Sequence, residues 1–199
     1  MGRGRAVYTG VLLVMLAGTM HAQQSLGAVT PQSAVTPRDG QHDFDFEFGV
    51  WKTKLKRLAK PLSGSTTWLG YEGTSVVRKV WGGRANLVEL DVKGEQGRIE
   101  GASWRLYNPE ARQWSLNFAN RRMGALTAPV TGDFRDGRGE FYGSDTLNGR
   151  AILVRFIITP TSPDACHFEQ SFSDDGGKTW EVNWIADDTR IKDAASQKD

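Results

Sequence analysis

The chain has little of what most enzyme chemistry needs. One cysteine, Cys166, and three histidines, His21, His42 and His167, are spread over 199 residues. A single thiol closes no internal disulfide, so the fold must hold without covalent staples. Cys166 reads as a small buried hydrophobe rather than a nucleophile. No Cys/His group has zinc-site spacing. Gly-x-Ser-x-Gly, a phosphate loop and paired helical histidines are all missing, and no cofactor is implied. Excess charge is missing too. With 25 Lys+Arg against 23 Asp+Glu, nothing strongly basic is present to draw nucleic acid or an anionic membrane. No apolar run reaches the ~20 residues that span a bilayer, and no long helical period runs through the chain.

What is present begins with an export signal. Arg3 and Arg5 precede an uncharged run from Ala6 to Gly18, centred on Val11-Leu12-Leu13-Val14-Met15-Leu16. Thr19-Met20-His21-Ala22 then offers a cleavage point after Ala22. This is the order of a secretory signal peptide, and it predicts a periplasmic or secreted protein. No cysteine follows to carry a lipid anchor. Residues 1–22 hold two arginines and no acid, so the remainder has 23 charges of each sign. Residues 23–41 are rich in Gln, Ser, Thr, Pro and Gly and read as a disordered linker. The folded domain is expected at 42–191, with a flexible polar tail at 192–199.

Within the domain, short alternating segments recur between turn signals, which predicts an antiparallel all-β barrel of about ten strands. Trp51, Thr53 and Leu55 alternate with Lys52, Lys54 and Lys56, giving one buried face and one wet face. Asp136-Gly137 and Asn148-Gly149 are two-residue hairpin signals that fix register. They set Gly132 against Phe141, Phe134 against Gly139, and Phe141 against Phe156. A loop at Pro160 to Asp164 is expected to set Phe156 against Phe168. The last turn is expected to set Phe168 against Trp184 and Phe172 against Trp180. That register puts Trp180 and Val182 on the inner face and lines Arg155, Glu169 and Asn183 up outside as a cross-strand ladder. A hairpin at Asn108-Pro109-Glu110 is expected to pair Trp104 with Leu116 and Leu106 with Trp114. The predicted inner lining is Trp104, Trp114, Phe118, Phe141, Phe156, Phe168, Gln170 and Trp184.

Phe46-Glu47-Phe48-Gly49-Val50-Trp51 opens the first strand, and Trp184 to Arg190 closes the last. This is similar to the Gly-x-Trp plus C-terminal Arg pairing of the calycins, the lipocalin-like barrels. The resemblance implies that Arg190 lies over the Trp51 ring and closes the barrel end, with Gly49 turning the chain into the strand. The segment from His42 to Arg190 resembles a bacterial family of exported proteins known only as a domain of unknown function. That resemblance rests on His42-Asp43-Phe44-Asp45-Phe46 leading to Gly49-Val50-Trp51, Pro129 to Gly132, Asp136 to Phe141, Gly149 to Phe156 and Glu169 to Glu181. It implies a calycin-like barrel and no reaction.

Ser173-x-Asp175-x-Gly177-x-Thr179-Trp180 fits the Asp-box pattern of sialidases. A propeller needs several copies in a longer chain, so a single copy reads as a structural hairpin device. His42 with Asp43 and Asp45 lacks a fourth metal ligand, and His167 falls on the outward parity, away from any haem in the interior. The polar candidates for catalysis are Gln170 and Asp145, with Glu89 and Arg78 if they point inward. The leading expectation is a barrel binding an apolar or amphipathic molecule. The alternatives are a small hydrolase or isomerase using inward polar groups, and a protein-interaction module. An interior above ~300 Å³ would suit a carrier, and a filled one would not.

Overall fold

The computed structural model describes residues 38–191. The export signal, most of the expected linker and the tail fall outside these residues. Ten strands form one closed antiparallel barrel: β1 (Gly49–Leu58), β2 (Trp68–Val80), β3 (Ala85–Gly94), β4 (Gly97–Asn108), β5 (Gln113–Asn120), β6 (Val130–Arg135), β7 (Arg138–Leu147), β8 (Arg150–Ser162), β9 (Ala165–Ser173) and β10 (Glu181–Arg190). Each strand pairs with its chain neighbours, and β1 pairs with β10 to close the ring. Closure leaves no free edge. The outer face carries charge, including Lys52, Lys54, Lys56 and the Arg78–Glu89 and Arg98–Asp91 pairs. The inner face is largely apolar, the reverse of a membrane-spanning barrel.

The two Gly turns behave as read. Asp136 and Asn148 take positive φ at 51° each, and the strands meet as Gly132 against Phe141, Phe134 against Gly139 and Phe141 against Phe156. The next two turns do not. β8 continues through Pro160 to Ser162, with a bulge between those residues, so Phe156 faces Gln170 and Ile158 faces Phe168. The bulge leaves room for a proline without a ladder N–H. The shift is two residues, which preserves the inward parity. In β10 a bulge between Val182 and Trp184 sets Trp184 against Gln170 and Ala186 against Phe168. Before that bulge the parity differs, and Trp180 lies on the outer face, not the inner. The Arg155 guanidinium sits 4.7 Å from its ring centroid, and Tyr142 packs edge-on at 6.0 Å. Val182 faces Ser171 instead of Gln170. The expected outer ladder therefore does not form. Arg155 faces Ser171, Glu169 lies between Ile157 and Ile185, and Asn183 is buried at the bulge.

The β4–β5 hairpin slips by one residue. Its loop has four residues, with Arg112 at φ 53°, and the Asn108 side-chain oxygen accepts the N–H of Glu110 and of Ala111, both at 3.0 Å. Tyr107 thus faces Trp114 and Arg105 faces Leu116. A one-residue slip exchanges the faces of a strand. Trp104 points out, packing edge-on against Trp81 at 5.9 Å, and Arg105 points in.

Folded structure starts earlier than the expected boundary. Residues 38–41 are part of it: Tyr107 Oη accepts the Gly40 N–H at 3.0 Å, and Trp114 Nε1 donates to the Gly40 carbonyl at 2.9 Å. Together with the 3-10 turn Asp45–Glu47 this segment plugs one end of the barrel. Phe44 is fully buried there, 4.9 Å from Trp114, 5.0 Å from Phe134 and 5.9 Å from Phe141. At the same end Arg190 faces Trp51 across the β1–β10 pair, its guanidinium 4.1 Å from the ring centroid. It also donates to the carbonyls of Phe48 and Phe46. Gly49 has φ 128°, and a Cβ there would stand 2.9 Å from the Arg190 Nη1. The closing contact therefore requires glycine on both counts.

Candidate functional site

The barrel is not filled evenly. β5 to β9 bring Trp114, Val130, Phe134, Phe141, Ile152, Val154 and Ile158 into one solid core with Phe44. The remaining strands carry smaller clusters, Trp51 with Val77 and Val88, and Leu55 with Tyr71 and Val92. Between these lies an interior cavity of about 140 Å³. It is smaller than the ~300–1,000 Å³ of sites that enclose a drug-sized ligand. It is close to the ~150 Å³ that holds a benzene-sized guest.

Its two walls differ. Phe118, Phe156, Ile158 and Phe168 supply an apolar wall with Trp184, Leu55 and Leu90. The opposite wall is polar and comes from β1, β2, β4, β10 and the plug. Thr53 Oγ1 lies 2.7 Å from Ser75 Oγ and donates to the Asp188 carboxylate. Glu47, carried in by the plug, pairs with Arg105 in a two-pronged contact, and both are buried. The Arg105 guanidinium also lies 4.4 Å from the Phe44 ring centroid. A buried ion pair without good partners is costly, and the bidentate geometry is what makes it tolerable. Asp188 is pushed up from the ordinary carboxylate value of 3.8 to about 6. Burial is the main cause, the Glu47 charge adds to it, and the Thr53 bond and Arg105 oppose it. Burial also pushes the Cys166 thiol up, which favours its neutral form in the cavity wall.

Of the predicted lining, Phe118, Phe156, Phe168, Gln170 and Trp184 face the cavity. Trp114 and Phe141 point inward but are locked in the solid core. Trp104 is outside, for the register reason given above. Gln170 donates to Asn183 at 2.7 Å. Asp145 is exposed at the barrel rim and accepts the Thr146 N–H. Arg78 and Glu89 pair with each other on the outer face, which removes both from the interior. Sequence reading missed Glu47, Arg105, Ser75 and Asp188, and placed Thr53 on the buried face without assigning it to a site. Asp188 was legible in principle, four residues beyond Trp184 on the same strand parity.

The other sequence candidates are elsewhere. His42 Nδ1 lies 2.9 Å from Asp45, while Asp43 is held by Arg38. No group of three or more His, Cys, Asp or Glu is placed to hold a metal among the described residues. His167 lies on the outer face, 2.7 Å from Asp187 and 3.2 Å from Glu169. Burial pulls its imidazolium down, but the two carboxylates more than offset this and the pKa is raised. The Asp-box is a closed hairpin. Asp175 accepts bonds from Ser173 Oγ at 2.8 Å and from Thr179 N and Oγ1 at 3.0 and 2.7 Å, while Gly177 N–H donates to Ser173 and Trp180 Nε1 to the Gly177 carbonyl. The Thr179 bonds, with that from Ser173, hold its carboxylate well below the usual range. The polar side chains of Ser173, Asp175, Thr179 and Trp180 all bond within the box.

The mouth lies at the end opposite the plug. A hollow of about 640 Å³ is lined by Arg57, Tyr71, Arg98, Glu100, Phe118, Arg121, Arg122 and Trp184, among others. Phe118 and Trp184 line both this hollow and the interior cavity.

No family model and no curated protein sequence matches the chain. Among solved structures, it is similar to a de novo designed fluorescence-activating β-barrel, at 11% identity and a TM-score of 0.40. The match covers 78% of this chain and 100% of that one.

Proposed function

We propose that the protein is an exported, calycin-type binding barrel that holds a small amphipathic molecule. The observation that carries this is the cavity of about 140 Å³, apolar on one wall and sharing Phe118 and Trp184 with the open mouth. A guest of benzene size fits inside. A larger one extends past Trp184 into the mouth. The Gly49, Trp51 and Arg190 closure and the ten-strand meander support the calycin reading. The solid half of the barrel gives the hollow half a rigid frame, which lowers the ordering cost of binding.

Native mass spectrometry on periplasmic protein tests the proposal. The expected result is a co-purifying small molecule in the natural chain and its absence in Ala186→Phe. Ala186 faces the cavity, so the ring fills the space. Circular dichroism checks that the variant folds. Ligand-free natural protein in repeated preparations, with no small amphiphile bound on addition, would refute the proposal.

One observation favours a second reading, an acid–base enzyme. Asp188 faces the cavity with a carboxyl held to about 6, near the range a general base needs. Its discriminator is the fate of the co-purified molecule. Conversion by the natural protein that Asp188→Asn abolishes indicates catalysis. Recovery of the molecule unchanged indicates a carrier.

A further inference from the structure

The cavity selects for shape, but its mouth selects for charge. Arg57, the last residue but one of β1, has the same parity as the buried Trp51, Thr53 and Leu55, so it belongs to the inner face at the rim. Across the β1–β10 pair it faces Trp184, the residue common to cavity and mouth. Its Nε donates to Tyr71 Oη at 3.3 Å, and the guanidinium lies 5.9 Å from the Tyr71 ring centroid. Tyr71 is itself buried and fixes the arginine over the opening.

The four arginines at the mouth are not equivalent. Arg98 is bound two-pronged to Asp91 and reaches Glu100, and Arg121 donates to Glu100 at 2.9 Å. Those two are neutralised on the outer side of the rim. Arg57 has no acidic partner among the described residues, and neither does Arg122, which the β5–β6 loop brings to the same hollow. Glu100 is the acid in the lining, and it is already engaged. An uncompensated guanidinium, positioned by an aromatic phenol at the entrance of an apolar cavity, is suited to oxyanions that accept two parallel N–H bonds, carboxylate or phosphate.

We infer that Arg57, assisted by Arg122, receives the anionic head group of a single-chain amphiphile whose tail passes Trp184 and Phe118 into the barrel. This rests on the binding reading above and narrows it to a carboxylate or a phosphate monoester. A neutral alcohol of equal chain length fills the same cavity without that contact, and an ammonium is repelled.

The test is calorimetric titration of the full chain with octanoate, octyl phosphate, octanol and octylammonium, each below its micellar concentration. The expected result is octanoate or octyl phosphate binding at least tenfold more tightly than octanol, with octylammonium weakest. The tighter of the two anions names the head group. Arg57→Gln should remove the anion preference and leave octanol affinity unchanged, and Arg122→Gln should reduce the preference by a smaller factor. Arg57→Lys, which keeps the charge but loses the fork, should retain part of it and covers the case in which the glutamine variant fails to fold. Equal affinity for octanol and both anions in the natural protein overturns this inference and leaves the binding proposal standing. If none of the four compounds binds, the binding proposal falls and this inference with it.

Discussion

The two halves of this barrel are built from similar strands and packed to different ends. In the β5 to β9 half, Phe44 from the plug meets Trp114, Phe134 and Phe141 in a solid core, and the cavity begins only at the border formed by Phe118, Phe156, Ile158 and Phe168. In the other half, Thr53, Ser75, Ser103 and Ala186 face inward where the solid half has rings. Short side chains on an inner face cannot reach across a ten-strand barrel, so a void persists between them. One half thus supplies stability and the other supplies room. The polar wall falls in the roomy half, where Glu47, Arg105 and Asp188 border the cavity.

The largest expected break in this comparison comes from one truncation in each half. Phe141→Ala should cost about 3–5 kcal/mol, since its ring is fully buried among others. Leu90→Ala, facing a space that already exists, should cost about 2 kcal/mol or less. Urea unfolding of both variants measures the difference, and equal losses would mean the halves are packed alike.

Glu47→Gln sharpens the contrast at the polar wall. It strands the buried Arg105 charge and should cost about 3 kcal/mol. Replacing both partners, as Glu47→Leu with Arg105→Met, should recover most of that loss. A double variant as unstable as the single one would show that the pair does more than satisfy itself.

The smallest effect depends on pH. Asp188 has a folded-state pKa of about 6 against 3.8 when exposed. Below pH 3.8 both states are protonated and the group contributes nothing against folding. Between pH 3.8 and 6 the unfolded chain ionises while the folded chain stays protonated, so stability falls across that window and levels off above it. Asp188→Asn escapes this. Its stability advantage over the natural chain should grow by about 2 kcal/mol between pH 4.5 and pH 7.5. Chemical unfolding at the two pH values checks the sign, and a constant difference would place Asp188 in a more hydrated setting.

How far the sequence could be read followed the turns. Asp136-Gly137 and Asn148-Gly149 admit one backbone geometry, so the pairings of β6, β7 and β8 were legible to the residue. Pro160 to Asp164 and the last turn contain bulges, and a bulge leaves no composition signal strong enough to count from. Past the bulges the error was even, so Phe168, Gln170 and Trp184 still reached the interior, whereas before the β10 bulge it was odd and put Trp180 and Val182 on the wrong face. At Asn108 the error was odd. The side-chain oxygen of Asn108 holds a four-residue loop where three residues had been expected. That single residue exchanged Trp104 for Arg105 and hid the polar wall. Glu47 was hidden for another reason: it precedes the first strand, and only the plug's fold carries it inside. The Trp51–Arg190 closure was legible only through the resemblance of Gly49-Val50-Trp51 and Arg190 to a known strand-closing pair.

If the barrel is a carrier, its hollow half must admit a guest that its solid half refuses. Methyl-labelled protein titrated with octanoate and followed by NMR reads both halves at once. Saturable shifts are expected at Leu55, Val77, Val88 and Leu90, which face the cavity, with silence at Val130, Ile152 and Val154 in the solid core. Shifts spread across both halves, or none that saturate, would contradict the division of the barrel into a frame and a binding chamber.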